Sequence, residues 1–180
     1  DEVEGFRRGQ NLDKIGNEAQ DTSELFFDDV WVPAQNLLGE EEGKGFFQLM
    51  AELPRERLLI AITSVIVMEK ALALTIDYTK QRKAFGQPVF DFQNTQFKLA
   101  EMYSKARIAR TFVNDCIEKA IDGTLDGTTS AIAKLWATDT EWEIVDQCLQ
   151  LHGGYGYINE YPIARMFRNS RISRIYGGSN

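Results

Sequence analysis

Three short segments hold residue types that can do chemistry together. In Leu53-Pro-Arg-Glu-Arg57 a carboxylate, Glu56, lies just past a proline and just before a strongly apolar stretch. A carboxylate that loses water at such a boundary becomes a stronger base, as proton abstraction requires. The plain alternative is an acid paired on the surface with Arg55 and Arg57, the ordinary fate of a glutamate flanked by arginines. In Gln81-Arg-Lys-Ala-Phe-Gly86 two cations stand beside an aromatic and a glycine turn. They can hold a phosphate and stack a ring, or simply complement the dipole of a helix C-terminus. In Gln150-Leu-His-Gly-Gly-Tyr-Gly-Tyr157 two adjacent glycines let a backbone or a ligand come close. Alone, that segment is a helix C-cap followed by a turn, with Tyr155 and Tyr157 as core or rim residues.

Two further patterns set limits. Arg165, Arg168, Arg171 and Arg174 recur every third residue, so they share one side of a helix. The stripe is expected to pack against the acidic remainder of the protein; an acidic partner is the sharper alternative. A di-iron bundle needs Glu-x-x-His pairs, and the single histidine, His152, follows Leu149 at that spacing. One histidine and no CxxC leave no metal site of the zinc or iron type.

The elements that must position these segments are mostly helical. Residues 1–38 lack helical periodicity, but Thr22–Val32 alternates Phe26, Val30 and Val32 with Leu25, Phe27 and Trp31. That predicts one strand or two short ones with both faces partly covered, their partners lying upstream of this chain. From Phe46 onward apolar residues recur at helical spacing, and Leu58–Ala73 is apolar on most sides, predicting a buried central helix to about Arg82. Pro54 inside it predicts a kink. Asp91 is placed as the N-cap of a second helix reaching about Ile121, with Phe97, Met102 and Ile108 among its apolar positions. A third helix, capped by Thr128 or Thr129, carries Ile132, Leu135, Trp136, Ile144 and Val145 and stops at Gly153-Gly154. Pro162 falls in the first turn of a short fourth. Long helices on short loops predict a mainly α, up-down four-helix bundle.

Composition supports a packed core: 180 residues, 43% hydrophobic and 26% charged. A net charge of -7 argues against a nucleic-acid partner. No apolar run is expected to span a bilayer, and no signal peptide opens the chain. Cys116 and Cys148 make no disulfide framework, which suits a reducing compartment. A start at Asp1 without methionine, and a stop just after Gly177-Gly178, lead us to expect a piece of a longer protein.

Taken in order, these motifs resemble the C-terminal half of an acyl-CoA dehydrogenase. The resemblance begins with Asp13-Lys-Ile-Gly16, Asp21-Thr-x-Glu-Leu-x-Phe-Asp-Asp-Val30, Val32-Pro33, Asn36-Leu-Leu-Gly39 and Gly45-Phe46. It continues through Glu56-Arg57, Arg82-Lys-Ala-Phe-Gly86, Phe92-Gln93 and Leu99-Ala-Glu-Met102, then Gln150-Leu-His-Gly-Gly154, Glu160-Tyr-Pro162 and Ile175-Tyr-Gly-Gly178. Each piece is weak; the ordered set is specific. The resemblance implies that residues 1–38 end a β-barrel-like middle domain, as its last strands, and that 39–180 form the C-terminal helical bundle domain. It implies FAD-dependent oxidation of an acyl-CoA to the trans-2-enoyl-CoA, with electron-transferring flavoprotein as the oxidant of the flavin and a homodimer or homotetramer as the assembly. The expected place is the cytoplasm in a bacterium and the mitochondrial matrix in a eukaryote.

The same resemblance assigns residues. Arg82, Lys83, Phe85, Phe92, Gln93, Gln150, Leu151, His152, Gly153, Gly154, Ser179 and Asn180 are expected to bind FAD. Pro54, Arg55, Arg57, Tyr78, Gly177 and Gly178 are expected near the substrate. Many family members carry the catalytic base just before the final glycine, where this chain has Gly177. A minority, similar to the long-chain and isovaleryl types, carry it on the first bundle helix, where this chain has Glu56. The segment that holds the flavin ring lies outside these residues, so the isolated fragment is expected to be inactive. An acyl-CoA oxidase or related flavin monooxygenase is the same-fold alternative, and a non-catalytic oligomerisation bundle the different-class one.

Overall fold

The computed structural model describes residues 3–180, which divide into two compact units, one ending at Ala51 and one spanning Glu52–Asn180. In the first unit, strand β1 (Phe6–Asn11) pairs antiparallel with β2 (Ser23–Phe27), Phe6 opposite Phe27 and Arg8 opposite Leu25. The register shifts between Arg8 and Asn11. The Phe6 and Phe27 rings meet at 5.2 Å, and the Arg7 guanidinium lies 4.0 Å over Phe26. Gly5 is required here: at φ +84, a Cβ on it would stand 2.1 Å from the Asp28 carbonyl oxygen.

This corrects the expectation that the Thr22–Val32 strand has its partner upstream. Its partner is β1, whose FRRGQN sequence lacks the β-branched alternation that marks a strand. The strand also stops at Phe27, because Asp29 takes a left-handed φ of 50. Two strands are marginal on their own. Amide exchange is therefore expected to be fast across 6–27 and slow across 95–150. Equal protection of the two regions in a monomer would refute this.

Four helices follow: α1 (Gly45–Gln81), α2 (Gln93–Ile121), α3 (Gly127–His152) and the short α4 (Pro162–Ser170). Helix α1, about 55 Å long, runs unbroken through Pro54. Helix α2 starts after Phe92, not Asp91, which falls instead in a 3-10 turn at Val89–Asp91. Helix α3 is capped by Asp126, two and three residues before the threonines: its carboxylate accepts from the Thr129 amide at 2.8 Å. Pro162 opens α4 as expected.

Cross-helix contacts give the directions. Lys98 Nζ donates to Gln147 Oε1 and Lys105 Nζ to Glu143 Oε1, so α2 and α3 are antiparallel. Arg57 shares a cluster with Lys134, and Tyr78 stacks on His152, so α1 and α3 run parallel. Arg110 on α2 grips Glu69 on α1 with two nitrogens, at 2.9 and 2.7 Å. The core draws Val65, Met68 and Ala71 from α1, Met102, Ala106 and Ala109 from α2, Ala133, Ala137 and Ile144 from α3, and Ile163 from α4. The alanines let the long helices approach closely.

Helix α1 is apolar all round, but only one face is buried here. Leu59 and Ile66 are exposed, as are Phe97, Ile108, Leu135 and Trp136 on α2 and α3. A helix in one bundle layer can bury only the arc its neighbours cover. By length and composition α1 is also apolar enough to cross a membrane, contrary to the sequence expectation. Its nine buried residues make it a core helix of this bundle. Cys116 and Cys148 are both buried and unpaired.

Candidate active site

Two clusters of predicted residues form, one toward each end of the bundle. The first is built where α1 and α3 meet the segment after α4. That segment passes through a 3-10 turn (Arg171–Arg174) into Tyr176, Gly177 and Gly178. Arg57 Nε donates to the Gly177 carbonyl at 3.1 Å. Lys134, only 3% exposed, donates to the Gly178 carbonyl at 2.6 Å and to Asn180 Oδ1. Two successive carbonyls of the glycine pair are thus each held by a cation. The Asn180 amide donates onward to Thr138 Oγ1 at 2.7 Å and Asp139 Oδ1 at 3.1 Å. Arg174 Nε donates to the same Asp139 oxygen at 2.6 Å. Burial, and the Arg57 charge after it, hold the Lys134 ammonium below the ordinary lysine value.

Gly177 has φ 66, and a Cβ on it would stand 2.5 Å from Ile60 Cδ1. The left-handed φ disfavours any residue but glycine at 177, and a side chain there would also have to displace the Ile60 terminal methyl. Ile60 lies one helical turn beyond Glu56, on the same face of α1. The structure leaves Glu56 and Arg55 exposed, with Pro54 half-buried and Ser179 exposed. In this chain Glu56 is not desolvated, contrary to what its place before an apolar run suggests: Leu58 and Ala61 turn inward, and Glu56 lies off that face.

The second cluster lies about 33 Å further along α1, at Tyr78. Tyr78 was expected with the substrate residues; it stands instead beside the α3 C-terminus. Its hydroxyl donates to the His152 carbonyl at 3.1 Å, and its ring stacks on His152 at 4.2 Å and 19°. Tyr78, Arg82, Val89, Gln150–Tyr155 and Ile158 line one groove. The Arg82 guanidinium lies 5.2 Å over Tyr155. His152 is 6% exposed with Nδ1 2.8 Å from the Cys148 carbonyl, so it supports the glycine pair from below. Burial pulls it under the ordinary histidine value, which keeps the ring neutral at pH 7. Leu151 is half-buried, while Gln150, Gly153 and Gly154 are exposed. A Cβ at either glycine would meet nothing within 4 Å, so an open face waits above them.

Beside this groove, β3 (Lys83–Ala84) and β4 (Gln87–Pro88) form a minimal hairpin. Its two turn residues, Phe85 and Gly86, have φ of 52 and 85. A phenylalanine in the left-handed region is strained, and this one is 97% exposed. Phe92 packs edge-on to it at 6.4 Å, and Lys83 and Gln93 are exposed nearby in sequence. An exposed aromatic, guanidinium and ammonium groups, and a bare glycine face fit a ligand with a pyrophosphate and an aromatic ring.

Sequence reasoning missed Lys134, Thr138, Asp139 and Ile60. A signal was available: Lys134, Thr138 and Glu141 fall on the inner face of α3, among the buried Ala133, Ala137 and Ile144.

Fold and site together define a helical-bundle domain with a glycine turn held by Arg57 and Lys134 at one end and a groove lined by Arg82 and a bare glycine pair toward the other. Comparison with known proteins gives that class its family. The family described as acyl-CoA dehydrogenase, C-terminal domain, matches residues 43–180. The rat mitochondrial long-chain specific acyl-CoA dehydrogenase is 47% identical over 178 residues, 99% of this chain and 41% of the rat protein. A crystal structure of an acyl-CoA dehydrogenase from Geobacillus kaustophilus superposes with TM-score 0.96 at 49% identity, covering 99% of this chain and 47% of that one. An acyl-CoA dehydrogenase from Bacillus anthracis, solved complexed with FAD, superposes with TM-score 0.92 at 30% identity, covering 99% and 34%. This chain belongs to the acyl-CoA dehydrogenase family. It spans under half the length of these relatives.

Proposed function

We propose that this chain is the C-terminal portion, residues 1–38 of a middle β domain and 39–180 of the bundle domain, of an enzyme that oxidises an acyl-CoA to the trans-2-enoyl-CoA. One observation carries the catalytic assignment: the position of a base at residue 177 is a glycine with a left-handed φ of 66, where a side chain would also meet the Ile60 terminal methyl. A base for this turn must come from elsewhere, and Glu56 stands one residue from the Arg57 that holds the Gly177 carbonyl. Glu56 takes the α proton of the thioester. FAD, when bound, supplies the acceptor for the β hydrogen and its electron pair, so that the double bond forms as both leave. Arg57 and Lys134 hold the Gly177–Gly178 turn in place against α1 beside the proposed acyl site. In the assembled enzyme, removing water from this site strengthens Glu56 as a base.

Arg82, Lys83, Phe85, Phe92, Gln93, Gln150–Gly154, Ser179 and Asn180 would hold the cofactor. The two clusters lie about 33 Å apart along α1. That separation favours a groove that serves the flavin of a second copy, hence a homodimer or homotetramer joined through the exposed apolar helix faces. Electron-transferring flavoprotein fits as the oxidant. The test is reduction of the flavin by acyl-CoA in the full-length protein, read as bleaching of its visible absorbance. An inert flavin would overturn the activity, and a monodisperse monomer with stoichiometric FAD would overturn the shared site.

A further inference from the structure

The arginine stripe of the sequence is not uniform in the structure. Arg165 and Arg171 stay exposed, whereas Arg174 turns onto α3 and donates from Nε to Asp139 Oδ1 at 2.6 Å. The chain then returns to the same atom: the Asn180 side-chain amide donates to Asp139 Oδ1 at 3.1 Å. The backbone closes at the same place, where the Asn180 amide donates to the Arg174 carbonyl at 3.1 Å. Residues 174–180 therefore form a loop whose two ends meet on one carboxylate oxygen of α3.

The loop needs that closure. Its reversal is made by Gly177 and Gly178, with φ of 66 and 104. Glycine loses more conformational freedom on ordering than any other residue, so two in succession hold no shape by themselves. Arg57 and Lys134 grip the two carbonyls at the apex. A grip on the apex alone leaves the loop free to open at its ends, and the ends are where Asp139 acts. The same carboxylate supports the apex through charge. Burial, then the Arg57 charge, lower the Lys134 titration; Asp139 raises it, and Arg174 lowers it. Asp139 itself lies outside the core, its side chain 44% exposed, so exchanging it spares the packing of the bundle.

We infer that Asp139 is a positioning residue: by joining Arg174 to Asn180 it closes the loop that carries the Gly177–Gly178 turn and fixes where that turn stands beside α1. The closure rests on the hydrogen bonds alone; its effect on turnover rests on the proposed acyl site.

The test uses the full-length FAD holoenzyme and the variants Asp139→Ala, Asp139→Asn and Arg174→Gln. In Asp139→Ala, amide exchange across 175–180 is expected to speed up by about tenfold or more, the worth of one hydrogen bond to a charged group. Exchange in α3 and α4 should match the wild type, and the melting temperature should hardly move. A fall in kcat of about tenfold is expected, with KM changed less, because the closure orders the turn and adds no contact to the substrate. Asp139→Asn keeps an acceptor oxygen and loses the charge, so it should lie between the wild type and Asp139→Ala on both readouts. Arg174→Gln removes one donor without altering α3 and should loosen the same residues, which decides the question even if Asp139→Ala does not fold. Unchanged exchange across 175–180, or faster exchange spread evenly over α3 and α4, would overturn the closure. A loosened loop with wild-type kcat would overturn the positioning role. The exchange measurements use no acyl-CoA, so their failure is distinct from that of the proposed activity, which a wild-type flavin inert to acyl-CoA would show.

Discussion

Glu56→Gln in the full-length protein is expected to abolish bleaching of the flavin by acyl-CoA while FAD stays bound. Glutamine keeps the size and the helix propensity of glutamate and loses only the ability to take a proton. Glu56 is exposed, so the exchange disturbs no core contact. General-base catalysis is worth roughly 10²–10⁴-fold, and no second base stands ready at the glycine turn. A side chain at 177 meets Ile60 and an unfavourable φ, and its neighbour Gly178, at φ 104, is no better placed. Bleaching at a near-normal rate would remove Glu56 from the reaction and leave the glycine turn without an acid partner on α1.

The helices were legible because each carries its own boundary chemistry. Gly123 and Gly153 stand just past α2 and α3 with left-handed φ, and Pro162 opens α4. These are local signals, which a sequence reports directly. The α3 cap was read two or three residues late: Asp126 outcompetes Thr128 and Thr129 because its carboxylate reaches both the amide and the hydroxyl of Thr129. Burial was less legible. Phe97, Ile108 and Trp136 look like core residues but are exposed, because periodicity identifies an apolar face without saying what covers it.

The candidate site divides along the same line. Glu56, Gly177 and the Gln150–Gly154 segment stood out by residue type. Their grouping did not: Tyr78 belongs with His152, and Arg57 with Gly177, through contacts 74 and 120 residues apart in sequence. The strand partner of Ser23–Phe27 was missed for a different reason. Arg7, Arg8 and Gln10 give β1 a polar pattern, and the strand is held by backbone pairing and by Phe6 and Arg7 against two phenylalanines.

Lys134→Met should separate the architecture of the bundle from the order of its active turn. Methionine matches the length of the lysine stem and suits its buried surroundings, so the core around Ala133 and Ala137 should survive. Two acceptors, the Gly178 carbonyl and Asn180 Oδ1, lose a charged donor. Hydrogen bonds to charged groups contribute about 1.5–3 kcal/mol each, but the variant no longer buries an ammonium, and these effects offset one another. The melting temperature is therefore expected to change little. The turn should change a great deal, since Arg57 alone would then hold its carbonyls. A misplacement of about 1 Å can cost on the order of 10²-fold in rate, and a fall in kcat of that order is expected, with faster amide exchange confined to 176–180. Asn180→Ala removes one of the two acceptors, so it should give a smaller version of the same change, and the double variant should be little worse than Lys134→Met. A Lys134→Met enzyme with normal kcat and an ordered turn would show that Arg57 suffices, and that the buried ammonium serves packing rather than the placement of the substrate.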